Sequence, residues 1–197
     1  AMKGSSSNAA SSTTERYASA QRSSTPSSRS RAWSVTASPT WRHRWPLPGS
    51  LGRAFYDQMT GGSYDIQIVP WSEPKTQLEF FNLRSGQTHD FEHILTGGGF
   101  NFMGELVPYW ARLTNVFKHI KNQELAGELS VLMMFGTLRY IVRTLLHYPD
   151  IWLTAVGSIQ RGAHVGMGSD AIFMMKVEDV LHLPLEQARE ALGIRGV

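Results

Sequence analysis

THDFEHILTGGGFNFMGEL (residues 88–106) sets two helical patterns on either side of a glycine triplet, Gly97-Gly98-Gly99. Before the glycines, Thr88 is placed to cap a helix, and Asp90 and Glu92 fall in its first turn, where the helix dipole favours negative charge. After them a second helix runs from about Asn101 to Lys121. Its apolar residues Phe102, Leu106, Tyr109, Leu113, Val116 and Phe117 recur at spacings of three and four. On the first helix His89 and His93 stand one turn apart on the same side, with Asp90 beside them inside an arc of roughly 100°. Glu105 lies beyond the glycines, which can act as a hinge and fold its helix back toward the imidazoles. Two imidazoles with one or two carboxylates suit zinc, iron, manganese or cobalt, with an open position for water or substrate. The same residues read equally well as solvated polar side chains at a helix start. Nor is the pattern that of a metallopeptidase, because Asp90 stands where H-E-x-x-H has glutamate.

The rest of the body continues the helical pattern. Ser50 caps a helix carrying Leu51, Ala54, Phe55 and Met59 on one side. A short helical segment covers Thr76–Leu83, after a loop with one extended piece at 66–69. A third helix, Glu124–His147, is apolar on more than one face and stops before Pro149. A fourth spans about Asp150–Gly166, and a last one starts near Pro184 and ends at Gly193. The segment 171–181 fits strand or helix. The expected fold class is therefore all-α, a single compact multi-helix domain over 46–197, behind a Ser/Arg-rich leader over 1–45.

Composition narrows the chemistry. Of 197 residues none is cysteine, which excludes a disulfide framework, a thiolate metal site and a cysteine nucleophile. Up to Tyr56 there are eight Lys/Arg against one acid, a net +7, while the remainder carries eleven against fifteen, a net −4. Thirteen serines in the first forty residues leave too little apolar surface to offset ordering, so the leader reads as disordered or as an organelle transit peptide. Nucleic-acid binding is not expected, since no recognition module follows the basic segments. The apolar run 129–146 contains Gly136, Arg139 and Arg143, and falls short of a bilayer span.

His89-Asp90-x-x-His93, eleven residues, then Glu105 resembles the motif of a family of ubiquinone (coenzyme Q) biosynthesis proteins, the fourth Coq protein. LPGSLGRAF (47–55), HDFEHILTGGGFNFMGE (89–105), SIQRGAHVGMGSDAIF and LPLEQAREALGI resemble other blocks of that family. Three places depart from it: the Ser/Arg leader stands where upstream helices are usual, and two more lie in the body. Gly98-Gly99-Phe100 replaces a Met-Pro-Thr type turn, and Val177 stands where tryptophan is frequent.

The resemblance implies a divalent metal, zinc first, held by His89, Asp90, His93 and Glu105, with Asp90, His93 and Glu105 as the catalytic set. It implies a metal-dependent lyase or decarboxylase that replaces carboxyl by hydroxyl on a polyprenyl-hydroxybenzoate ring. Alternatives are a non-catalytic lipid-binding scaffold of a ubiquinone assembly, or a same-fold enzyme acting on another aromatic or polyketide product. Arg139 and Arg143 are candidates for a substrate carboxylate, and Met134 and Leu138 for an isoprenoid tail. Expected partners are an aromatic small molecule, a membrane surface, other ubiquinone-biosynthesis proteins and a second copy of the chain. The expected location is the matrix side of the mitochondrial inner membrane in a eukaryote, otherwise the cytoplasmic membrane surface.

Overall fold

The computed structural model describes residues 47–61 and 73–197. The leader over 1–45, with its targeting, disorder and nucleic-acid readings, and the extended piece at 66–69 lie outside the described residues. The helices are α1 (Leu51–Gly61), α2 (Gln77–Thr96), α3 (Leu106–His119), α4 (Gln123–His147), α5 (Trp152–Gly168) and α6 (Leu185–Ala191). Among the described residues there is no strand, only one isolated bridge between Ser50 and Pro184. The chain is all-α, as its periodicity predicts. The segment 171–181 is neither of the forms expected: it makes two 3-10 turns, Ile172–Met174 and Val177–Asp179.

The main correction concerns α2. Thr88 does not start a helix; it lies deep inside one that begins twelve residues earlier, at Thr76. Thr76 accepts from the Glu79 backbone N–H at 3.1 Å, and the Glu79 carboxylate accepts from the Thr76 N–H at 3.2 Å, a reciprocal capping box. The helix then continues through Ser85-Gly86, which sequence propensity alone would break, because tertiary bonds hold it there. Arg84 reaches Glu178 with Nη2 at 2.6 Å, and the same nitrogen donates to the Met175 carbonyl at 3.3 Å. Asp90 and Glu92 are accordingly not first-turn residues. At the far end Arg189 of α6 donates to the Leu95 and Ile94 carbonyls at 2.9 and 3.1 Å, satisfying acceptors a helix terminus leaves open.

α3 and α5 cross at close range. A Cβ at Gly162 or Gly166 would run into the Val107 and Ala111 carbonyls of α3, so these two glycines bring the helix backbones into contact. Asn115, fully buried, ties the crossing to the C-terminal block. Its Nδ2 donates to the Gly166 and Asp170 carbonyls at 2.9 Å each, and its Oδ1 accepts from Ile172 N–H at 2.8 Å. The core joins Leu51, Leu95, Ala111 and Val165 to Ile172, Val177, Leu181 and Ala188. Burying such a cluster is the main stabilising term, at about 25 cal/mol for each Å² of apolar surface removed from water.

α4 behaves differently. Phe135 is 66% exposed and Leu146 71%, with Met134, Leu138, Val142 and Leu145 also exposed, and Leu153 of α5 reaches 81%. Most of its apolar stripe is therefore surface rather than core. No single helix among the described residues is long and apolar enough to cross a membrane. The two arms of α4, meeting at 50° about Leu132, pass on length and composition only when taken together.

Candidate metal centre

The last turns of α2 and the first residue of α3 converge. α2 ends at Gly97, whose left-handed φ of 72° lets the chain leave the helix sharply. Residues 98–105 then fold back as turns, so α3 starts at Leu106 rather than near Asn101. Asn101 organises this reversal: its side chain accepts from Gly104 N–H at 2.8 Å and its carbonyl from Glu105 N–H at 3.1 Å. Gly104 must be glycine, because a Cβ there would fall into the Gly99 backbone.

The reversal brings Glu105 against both imidazoles. Glu105 Oε2 lies 3.2 Å from His89 Nε2, and Oε1 lies 3.5 Å from His93 Nε2. The two Nε2 atoms are 3.3 Å apart. His93, 1% exposed, places Nδ1 3.1 Å from the Gly99 carbonyl. A carbonyl only accepts, so Nδ1 carries the hydrogen and the neutral ring turns the Nε2 lone pair toward His89 and Glu105. This is the carbonyl-to-imidazole support that fixes tautomer and orientation in metal sites. Around a tetrahedral zinc with bonds of about 2.0–2.1 Å, neighbouring ligand atoms sit about 3.3–3.4 Å apart. The donor set and its spacing fit such an ion, and His89, His93 and Glu105 could hold one.

Asp90 does not join that trio. It is half-buried beside it, and burial pushes its carboxyl above the usual carboxylate range, with the charges of Glu105 and Glu92 adding to the rise and the two histidines opposing it. Phe100 stacks on His93 with ring centroids 4.7 Å apart, and Tyr109 tilts toward His89 at 5.7 Å. Tyr109 also lies against the backbone of Gly136 on α4. From there Tyr140 lies 6.2 Å from Tyr109 and Phe102 lies 4.9 Å from Tyr140, ring to ring. Arg143 sits over Phe102 at 5.3 Å and Arg139 over Tyr140 at 5.1 Å. Thus the two arginines border an aromatic wall that runs to the histidines, while Met134 and Leu138 lie on the exposed stripe of α4. Arg161 is exposed, and His164 packs against Gly196 rather than the trio.

Sequence reasoning missed four participants: Glu92, Arg112, Tyr109 as a neighbour of His89, and the Gly99 carbonyl. Glu92 is 1% exposed and pairs with Arg112 of α3. The available signal was Arg112 itself, set between Ala111 and Leu113 in an otherwise apolar stretch.

His93 and Glu105 shift one another's titration. Burial opposes charge on His93, yet hydrogen bonding and charge from Glu105 outweigh it and raise its pKa above 6.5. Burial likewise opposes charge on Glu105, but hydrogen bonds from His89 and His93 bring its carboxyl down to about 2. The Glu105 contribution to metal-free stability is present above 4.5 and lost as pH falls toward 2. That of His93 is present below 6.5 and lost as pH rises through its raised value. The melting temperature of metal-free protein, measured against Glu105→Gln, should therefore gain most between pH 4.5 and 6.5. Zinc should add more stability as pH rises beyond that window, since it competes with the His93 proton. A metal-free difference that stays flat from acid to alkaline pH would contradict the pairing.

No family model matches the chain, and no curated protein matches it. Among solved structures, one from Nostoc punctiforme, provisionally named as a ubiquinone biosynthesis protein, is similar in fold, with a TM-score of 0.55 at 19% sequence identity. The likeness covers 75% of this chain and 63% of that one.

Proposed function

We propose that the protein is a metal-dependent enzyme of ubiquinone assembly that removes the carboxyl group of a polyprenyl-hydroxybenzoate-type ring and puts hydroxyl in its place. The observation that carries this reading is the meeting of His89, His93 and Glu105 at the spacing a tetrahedral ion needs. The resemblance of the motif and its flanks points to the substrate class, and a backbone similar to a protein named for ubiquinone biosynthesis supports that pathway in general. In this reading His89, His93 and Glu105 hold the ion, zinc first. A bound divalent ion supplies a Lewis acid that orients the ring oxygens and stabilises charge as carbon dioxide leaves. Asp90 takes or holds a proton beside them. Phe100 and Tyr109 flank an aromatic ring, and Arg139 and Arg143 attract its carboxylate across the aromatic wall. The net change is loss of carbon dioxide and a two-electron oxidation of the ring, whose new hydroxyl oxygen comes from water while dioxygen takes the two electrons and leaves as hydrogen peroxide.

The exposed apolar stripe of α4 favours a second reading, a lipid-binding scaffold whose stripe meets an isoprenoid tail or a membrane surface. One experiment separates them. Protein loaded with zinc or with iron(II) and incubated in air with carboxyl-labelled polyprenyl-hydroxybenzoate should release labelled carbon dioxide with one of the two ions, and Glu105→Ala should release none with either. If both proteins are inert, yet Glu105→Ala restores ubiquinone production in cells lacking that biosynthetic activity, the scaffold reading holds instead.

A further inference from the structure

α2 carries two parallel stripes on its inner side. His89 and His93 form one; Thr88 and Glu92, 3% and 1% exposed, form the other, a single residue over. Arg112 crosses from α3 into that second stripe. Its Nη2 donates to the Ser85 carbonyl at 3.1 Å, approaches Thr88 Oγ1 at 3.4 Å and is bonded to Glu92 Oε1. Thr88 donates to the same carboxylate oxygen at 3.0 Å. One guanidinium therefore spans two turns of α2, from Ser85 to Glu92.

We propose that the Glu92–Arg112 pair is a positioning device for the metal centre, setting the rotation and axial register of α3 against α2 so that Glu105 meets His89 and His93. The inference rests on the reading that those three residues hold a metal. Arg112 lies seven residues after Glu105, two turns or about 10 Å along α3. A side chain about 5–6 Å from a helix axis moves about 1 Å for each 10° of rotation. Metal–ligand distances tolerate only about 0.2 Å. The reversal between the helices is glycine-rich, and its two phenylalanines pack on His93 and on Tyr140 of α4, so neither ties the bodies of α2 and α3 together. A single guanidinium nitrogen, Nη2, bonded at Ser85, Thr88 and Glu92 does, and it sits in a buried place where an arginine is otherwise costly. Replacing a buried ion pair by apolar residues of similar volume is often neutral or stabilising, so stability alone does not explain the pair.

The test uses cobalt(II) as the probe and the full chain carrying Glu92→Leu together with Arg112→Leu. The double variant should keep its helical circular dichroism and melting temperature while cobalt affinity falls about 10–100-fold, the usual effect of losing an outer support, with its visible absorption bands shifted. Arg112→Gln is too short to reach Ser85 and Glu92 together, and should weaken cobalt about threefold or more. This variant decides the matter if the double variant is not obtained folded. Wild-type affinity and spectrum in either folded variant overturn the positioning role alone. A wild type that takes up no cobalt overturns the metal reading and this one with it.

Discussion

Replacing Glu105 by alanine lowers zinc affinity about 100-fold or more, while Asp90→Asn leaves it within about threefold; losses at outer supports already reach about 10–100-fold. What separates the two carboxylates is chiefly where the fold puts them. Glu105 reaches both Nε2 atoms from the start of α3, whereas Asp90 lies beside the trio without entering it. The substitution removes one of three donors and the single negative charge that offsets a divalent cation there. It also leaves His93, buried and held by Gly99, with His89 as its only remaining partner in the trio. Glu105→Asp should recover little, since one methylene is far outside metal–ligand tolerance. Competition titration against a zinc chelator measures all three variants. Equal loss in Asp90→Asn and Glu105→Ala would show that the ligand set includes Asp90, as the family resemblance implies and the geometry of the trio does not.

What the sequence made legible was periodic or local. Spacings of three and four along α3, the stop before Pro149 and the turn at Gly97 depend on neighbours in the chain, and the all-α fold follows from them. The start of α2 was misplaced because Thr88 has the side chain of a cap, while Ser85-Gly86 looks like a break. Arg84 bonding to Glu178, ninety-four residues away, overrides that local preference. The same limit hid the partner of Glu92: a glutamate near a presumed helix start looks solvated, and only the packing of α3 onto α2 shows it buried. The His89–His93–Glu105 trio was readable because its spacing is helical on one side and its hinge is spelled in glycines. The exclusion of Asp90 from it depends on side-chain direction, which spacing within an arc does not resolve. The stripe on α4 was legible as apolar but not as surface. Apolar residues at helical spacing normally mark core, yet Phe135, Leu138 and Leu145 face outward.

Gly104→Ala should damage the centre without touching a ligand. The added methyl would occupy the place of the Gly99 backbone, a collision with main chain that no rotamer change relieves. Gly99 must move, and its carbonyl is the acceptor for His93 Nδ1–H at 3.1 Å. The same methyl group therefore strains the reversal and frees the imidazole to turn or change tautomer, and it displaces Glu105, the next residue along. Overpacking of this kind costs about 1–3 kcal/mol of stability, and loss of the support behind a ligating histidine costs about 10–100-fold in metal affinity. Gly99→Ala is the control, since its methyl group would meet only the end of the Asn101 side chain, at 3.0 Å. That amide nitrogen can shift by a few tenths of an ångström while Asn101 Oδ1 keeps its bond from Gly104 N–H, so the loss in metal binding should be several times smaller. Urea denaturation of metal-free protein and zinc titration of both variants give the two numbers. If Gly104→Ala binds zinc as tightly as wild type, the Gly99 carbonyl is not what orients His93.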